Sequence, residues 1–188
     1  SSFRRTANRR DYSVLPPAPT LLKRQTDRGG AVISIGKIGD IFAHDGTGRE
    51  VKSPDKEAMI DLMLTETRAA GPDSLIVVNF VDFDVYFGHR RNPAGYAAAL
   101  EAFDWRLPEF EALLGPDDRA VITADHGCDP TWRGTDHTRE NVPVLALGGA
   151  RPGAAFGHLT SFADVGQTLA QHLGINDMPH GKSFGQAA

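Results

Sequence analysis

Short apolar runs alternate along this chain with longer stretches that have helical spacing. Residues 31–35 form a β-branched run that ends at Gly36, and residues 75–80 form a nearly continuous apolar run. Both runs are typical of strands buried on two faces. Between them, Ser53-Pro54 is typical of a helix start. The apolar stripe of that helix is predicted at Met59, Leu62, Met63 and Leu64. Together these segments predict one β-α-β unit.

The same order of segments follows in the second half of the chain. Asn92-Pro93 predicts the cap of another helix, and residues 120–123 and 142–147 predict two more strands. A last helix is predicted to begin after Thr160 or Ser161. The apolar faces of these two helices are predicted at Tyr96, Leu100, Phe103 and Leu107, and at Phe162, Val165, Leu169 and Leu173. Alternating strands and helices predict an α/β fold in which helices cover both faces of a mostly parallel sheet.

The composition limits the setting in which the chain works. The 188 residues are 40% hydrophobic and carry a formal charge of −4. No segment approaches the roughly 18 apolar residues that a membrane span requires. The single cysteine, Cys128, cannot form an internal disulfide, which favours a reducing, cytoplasmic setting. Mild acidity argues against non-specific nucleic-acid binding. We therefore expect neither a membrane nor nucleic acid as a partner.

The first residues differ in character from the rest of the chain. Ser1-Ser2-Phe3 has no initiator methionine and no signal-peptide pattern, so we expect the chain to begin inside a longer protein. Three prolines within residues 14–19 predict an extended linker. The basic cluster at the start is interpreted as a set of anion ligands or a solvated edge, and comprises Arg4, Arg5, Arg9 and Arg10. We predict a boundary between residues 1–16 and a core at residues 17–188.

Acidic and histidine side chains follow two of the predicted strands. Asp84 comes after the run that ends at residue 80, with His89 farther along, and Asp125-His126 come directly after the strand at residues 120–123. His137 follows in a polar loop. Because ligands bind where the carboxyl ends of strands meet, we expect these side chains to converge. A lone Asp-His pair is more typical of a turn or a cap. The full set, however, indicates a cation, because crowded carboxylates and imidazoles repel one another without one.

The ligand types indicate which metals such a site would hold. Mixed carboxylate and imidazole ligands suit Mn²⁺, Zn²⁺ or Mg²⁺, and more than four candidates indicate two ions. Two ions about 3.5 to 4 Å apart are the usual device of phosphoryl chemistry. Other acids near the motifs either hold imidazole tautomers or form turns, namely Asp82, Asp129 and Asp136. Cys128 is interpreted as a small buried residue. The remaining histidines are interpreted as structural or exposed, namely His44, His158, His172 and His180.

Several motifs together resemble one enzyme family. The segment T-A-D-H-G-C-D-P at residues 123–130, followed by G-T-D-H-T-R-E at 134–140, is similar to the metal-binding signature of the phosphopentomutase family in the alkaline phosphatase superfamily. The family's other metal segment is similar to N-F-V-D-F-D at 79–84, G-H-R-R at 88–91 and Gly95-Tyr96. Its substrate-contacting stretches are similar to I-G-K-I-G-D-I at 35–41 and R-T-A-N-R at 5–9. The resemblance therefore extends over nearly the whole chain.

The resemblance implies a fold and an activity. It implies a partial alkaline-phosphatase-like core, with residues 1–16 as a short remnant of a cap domain and hinge. It implies an isomerase, a metal-dependent phosphotransferase that moves phosphate between the C1 and C5 oxygens of ribose or deoxyribose. In that family two Mn²⁺ ions flank a phosphorylated threonine, Mg²⁺ or Zn²⁺ being alternatives, and glucose 1,6-bisphosphate is the activator.

The resemblance also implies roles for individual residues. The metal ligands carried over by motif are Asp84, His89 and His137 for one ion, and Asp125 and His126 for the other. Lys37 and Arg5 would bind the substrate phosphate. No threonine of this chain lies in a matching motif, so the nucleophile is expected in an N-terminal segment that precedes Ser1. That segment would be the chain's partner, and the chain alone is expected to lack activity.

Two other functions agree with the same residues. A metal-dependent phosphatase or phosphodiesterase of the same superfamily would use similar ions but transfer the phosphoryl group to water. A non-catalytic remnant would bind metal and do no chemistry. Stimulation by glucose 1,6-bisphosphate distinguishes the mutase from the hydrolase, and a melting temperature that rises with Mn²⁺ without any activity would indicate the remnant.

Overall fold

A parallel sheet forms the first half of the molecule. The computed structural model describes residues 11–53, 58–148, 153, 155–176 and 178–184. Strands β1 (Ala31–Ile35), β2 (Arg49–Val51) and β3 (Ser74–Val78) pair in the order β2-β1-β3, all parallel. Ile35 pairs with Val51 on one side and with Val78 on the other, so the carboxyl ends of all three strands lie at one edge.

Helices cover both faces of this sheet, as the alternation of elements predicts. Helices α1 (Leu21–Asp27) and α2 (Ile38–Ile41) contribute to one apolar cluster, and α3 (Ala58–Ala69) contributes to another. Successive strand residues point to opposite faces. Val32 accordingly belongs to the α1 cluster, whereas Ile33 and Ile35 pack against Met59 of α3. The α/β fold with a parallel sheet is therefore confirmed.

The second pair of strands departs from the parallel pattern. Strands β4 (Ala120–Thr123) and β5 (Val144–Leu147) form a separate two-stranded sheet and run antiparallel, with Thr123 opposite Val144. A parallel pairing needs a crossover connection, usually a helix, whereas antiparallel strands do not. Residues 124–143 contain no helix, and this is why the two predicted strands fold back on each other.

The remaining helices begin where the sequence predicts. In α4 (Pro93–Glu111) the Asn92 side chain accepts a hydrogen bond from the backbone N–H of Gly95 at 2.9 Å. In α5 (Ala163–His172) the Ser161 hydroxyl accepts one from Ala163 at 3.1 Å. The predicted apolar face of α4 is only lightly covered, because Leu100 remains 51% exposed.

Several elements were not predicted from the sequence. Helices α1 and α2 are short, and β2 is a three-residue edge strand with two charged residues, so none has a clear periodic signal. Residues 11–20 contain no helix or strand, in line with the predicted linker. The boundary after residue 16 stays a prediction. Among the described residues, no helix is long and apolar enough to cross a membrane.

Replacing Ile35 tests the packing of the sheet. Ile35 is fully buried between β2, β3 and α3. We expect Ile35→Ala to lower the free energy of unfolding by about 2 to 5 kcal/mol, because it removes buried methyl groups and leaves a cavity. Urea denaturation measures the change. The same substitution at Ile41, which is 50% exposed, is the control and should change stability by less than about 0.5 kcal/mol. Equal losses would contradict this account of the core.

Candidate metal centre

A short π-helix places the first two predicted ligands. The segment Phe83–Gly88 is π-helical, where the sequence had suggested only a glycine-containing turn. The backbone N–H of His89 donates to the carbonyl of Asp84 at 2.9 Å, a bond that spans five residues. This geometry brings His89 Nε2 to 3.3 Å from Asp84 Oδ1. Single π-helical turns of this kind are frequent at functional sites.

The third ligand comes from a different part of the chain. His137 lies in the loop after β4, and its Nε2 is 3.2 Å from Asp84 Oδ1. The rings of His89 and His137 are 4.7 Å apart between centroids. One ligand atom from each of Asp84, His89 and His137 lies within 4.8 Å of the other two. The structure thus brings these three predicted ligands together.

The chemistry of this group fits a divalent cation. Asp84 Oδ1 is buried and has no hydrogen-bond partner among the described residues. A buried carboxylate oxygen without a partner is costly, and a shared cation would satisfy it. One carboxylate with two imidazoles is also a ligand set that Zn²⁺ and Mn²⁺ accept. Asp84, His89 and His137 would therefore hold the ion.

His89 is oriented by a contact on the far side of its ring. His89 Nδ1 lies at hydrogen-bond distance from the backbone carbonyl of Thr135. Because a carbonyl only accepts, Nδ1 must carry the proton, and in the neutral ring this leaves Nε2, the nitrogen nearer Asp84, with a lone pair that can bind a cation. Metal-binding histidines commonly have such a carbonyl partner.

The predicted second pair lies beside this group but is not part of it. Asp125 and His126 follow β4 directly, and the His126 ring stacks on His137 with centroids 3.8 Å apart. Asp125 Oδ1 is 3.7 Å from His126 Nε2, and the Asp125 side chain is 70% exposed. The structure therefore adds His126 to the histidine cluster and leaves Asp125 at its solvent side. Their role as ligands of a second ion stays a prediction.

Cys128 lies against the first metal segment. A Cβ added at Gly88 would approach Cys128 Sγ to 2.5 Å, so only glycine permits this contact. Burial first, and then the adjacent Asp84 carboxylate, raises the pKa of the Cys128 thiol above its ordinary value. The raised pKa favours the protonated thiol, and Cys128 is half-buried rather than the fully buried residue that the sequence suggested.

Asp129 and His44 have structural partners. Asp129 Oδ1 accepts hydrogen bonds from the Thr131 backbone N–H and hydroxyl, both at 2.7 Å, and these bonds lower the pKa of Asp129. This is the turn-forming role that the sequence left open. His44 Nδ1 is 2.8 Å from Glu50 Oε1, away from the metal centre.

The two predicted phosphate-binding residues differ in what the structure shows of them. Lys37 follows β1 at the sheet edge where β3 also ends. Gly36, at φ +84°, lies so close to the Asn79 carbonyl that a Cβ would be 2.7 Å away, so a residue with a side chain could not let the two strand ends approach this closely. Lys37 Nζ is 2.7 Å from Asp11 Oδ2. Arg5 lies outside the described residues.

Comparison with known proteins shows to which family the chain belongs. The family model described as "Metalloenzyme superfamily" matches residues 8–177. The chain belongs to the metalloenzyme superfamily. Membership in this superfamily agrees with the three convergent ligands, which come from two segments inside the matched range.

Curated relatives of the chain carry a more specific name. The chain is 56% identical over 184 residues to a protein named phosphopentomutase from Rhizobium etli, covering 98% of this chain and 45% of that protein. It is 53% identical to a phosphopentomutase from Shewanella baltica and 54% identical to one from Shewanella sediminis, again over 98% of this chain. The chain spans slightly less than half the length of these relatives, 45 to 46%.

Metal titration tests the three-ligand group. We expect Mn²⁺ to raise the melting temperature, because a ligand that binds only the folded state stabilises it. His137→Ala should remove most of this rise and weaken Mn²⁺ binding by roughly 10- to 100-fold or more. Loss of a group that only orients a metal ligand already has an effect of that size. Thermal denaturation with and without a chelator measures the effect. His172→Ala, on the exposed end of α5, is the control. An undiminished rise in the His137 variant would refute the site.

Proposed function

We propose that this chain is the metal-binding α/β part of a phosphopentomutase, which interconverts the 1-phosphate and 5-phosphate of ribose or deoxyribose. The observation that supports this most is the group Asp84, His89 and His137 in a chain 53 to 56% identical to proteins named phosphopentomutase. The proposed enzyme is a metal-dependent phosphotransferase. It is also an isomerase, because it moves a phosphate group from one oxygen to another of the same sugar. We place it in the cytoplasm, in line with the single cysteine.

The proposed centre holds two Mn²⁺ ions, with Mg²⁺ or Zn²⁺ as alternatives. Asp84, His89 and His137 would hold one ion, and Asp125 with His126 would help to hold the other. Two such ions supply positive charge that stabilises the attacking and leaving oxygens of a phosphoryl transfer. The stacking of His126 on His137 supports a pair of adjacent sites, because it brings the two ligand sets into contact.

The proposed substrate is held from the sheet edge. Lys37 would bind the sugar phosphate as a point charge, and Arg5 would offer a two-pronged contact. In the structure the Lys37 ammonium is paired with the Asp11 carboxylate, an anion that a phosphate would replace. The phosphorylated threonine is proposed to lie in a further segment of the same protein, and that segment is the proposed partner of this chain. Glucose 1,6-bisphosphate is the proposed activator.

Product analysis on the full-length protein tests the proposed reaction. We expect ribose 1-phosphate to be converted to ribose 5-phosphate in a Mn²⁺-dependent manner, with stimulation by glucose 1,6-bisphosphate. Phosphorus NMR distinguishes the two sugar phosphates from inorganic phosphate. Release of inorganic phosphate without isomerisation would indicate a hydrolase instead. The chain of 188 residues alone should show no turnover, and activity in that segment would contradict a nucleophile located elsewhere.

Substitution of Lys37 tests the substrate contact separately from the metals. We expect Lys37→Ala to raise KM for ribose 1-phosphate by roughly 10-fold or more, since a hydrogen bond to a charged group contributes about 1.5 to 3 kcal/mol. Mn²⁺ affinity should not change. Steady-state kinetics of the full-length protein measure the effect, with the exposed Lys52→Ala as the matched control. A KM equal to that of the unmodified protein would remove Lys37 from the proposed site.

A further inference from the structure

The loop that carries His137 has little apolar packing to define its shape. Every residue from 131 to 137 is exposed, including His137 itself. At its base the loop is closed by a bridge between Gly127 and Thr138 and by a bond from the Asp129 N–H to the Thr138 hydroxyl at 2.8 Å. These contacts hold the ends of the loop. The position of its tip, where His137 lies, needs another cause.

One side chain connects this tip to the first metal segment. The Arg91 guanidinium donates to the carbonyl of Gly134 at 2.5 Å, to that of Asp129 at 2.6 Å and to that of Asp136 at 2.7 Å. It also donates to the carbonyl of Gly88, at the end of the π-helix, at 3.2 Å. A single partly buried residue therefore joins three carbonyls of the His137 loop to the segment that carries Asp84 and His89.

The carbonyls are arranged so that Arg91 affects two ligands. Residues 134, 135 and 136 present consecutive carbonyls, of which the first and third accept from Arg91. The middle one, that of Thr135, contacts His89 Nδ1. The contact that orients His89 is thus held in place from both sides by Arg91, and His137 is the next residue along the chain.

The geometry of this contact requires an arginine. A guanidinium is planar and has five N–H donors in a fixed fork, whereas an ammonium has three donors around one atom. A lysine at this position would keep the charge but could not reach four separated carbonyls. Arg91 also adopts φ +50°, a backbone conformation uncommon outside glycine, and its own N–H donates to Gly88 at 3.0 Å. Such a conformation persists where the surroundings determine it.

We propose that Arg91 is a positioning residue of the metal centre: it fixes His137 and the Thr135 carbonyl relative to Asp84 and His89, and so sets the affinity for a divalent cation without touching it. This proposal rests on the metal site put forward above. It differs from a charge effect in its consequences, because a nearby positive charge alone would weaken cation binding and its removal would strengthen it.

Two substitutions separate position from charge. Arg91→Lys keeps the charge and loses the fork, whereas Arg91→Ala loses both. We expect both variants of the full-length protein to bind Mn²⁺ roughly 10- to 100-fold more weakly, the range typical of groups that orient metal ligands. Arg90→Ala is the matched control, since it removes the same side chain from the exposed neighbouring position and should not weaken Mn²⁺ binding. Electron paramagnetic resonance of free Mn²⁺ gives the dissociation constants.

The melting temperature measured in the presence of a chelator separates an effect on metal binding from an effect on folding. A variant that melts near the unmodified protein without metal, yet binds Mn²⁺ more weakly, supports the proposal. Arg91→Lys with unchanged Mn²⁺ affinity would overturn it, whether or not its metal-free stability falls, and so would tighter binding by Arg91→Ala or an equal loss in Arg90→Ala. If Arg91→Ala does not fold, Arg91→Lys alone decides. Absence of Mn²⁺ binding in the unmodified protein would overturn the metal site together with this inference.

Discussion

The candidate metal centre depends on one buried carboxylate oxygen that lies close to two imidazole nitrogens. Asp84 Oδ1 lies 3.3 Å from His89 Nε2 and 3.2 Å from His137 Nε2, and it has no hydrogen-bond partner among the described residues. Leaving such a group unsatisfied costs about 1 to 3 kcal/mol, or more when the group is charged. A fold maintains that cost at sites where a ligand removes it, and a divalent cation is the ligand that this donor set accepts.

The two halves of the centre are supported in different ways. Asp84 and His89 follow β3, which pairs with the central strand and packs on an apolar cluster, so their position comes from the core. His137 lies on an exposed loop whose position comes from polar contacts with Arg91 and His89. Hydrophobic burial thus determines one side of the site and directional hydrogen bonding determines the other. Hydrogen bonds suit the second task because they specify distance and direction, whereas apolar packing does not.

The regular elements of the fold were largely predictable from local patterns. Residues 31–35 and 120–123 are strands with the predicted bounds, and Asn92 caps its helix through its side chain. These signals are local, since they depend on β-branched runs and on a cap three residues from its donor. The partner of β4 was not predictable in the same way. Its antiparallel pairing with β5 follows from the connection between them, which carries His137 and lacks a crossover helix.

The sequence by itself determined which candidate ligand types this protein has, which strands they follow and which family their motifs resemble. Asp84, His89 and His137 were all assigned from motifs, because the full set of carboxylates and imidazoles, unlike a lone Asp-His pair, indicates a cation and resembles the family's metal segments. The tertiary structure decided which of the five candidates form one group, that a π-helix rather than a turn presents two of them, and that Arg91 connects the segments. The physical reason is that convergence and multiple carbonyl contacts join residues about 40 positions apart, and no local pattern of side chains records such distances.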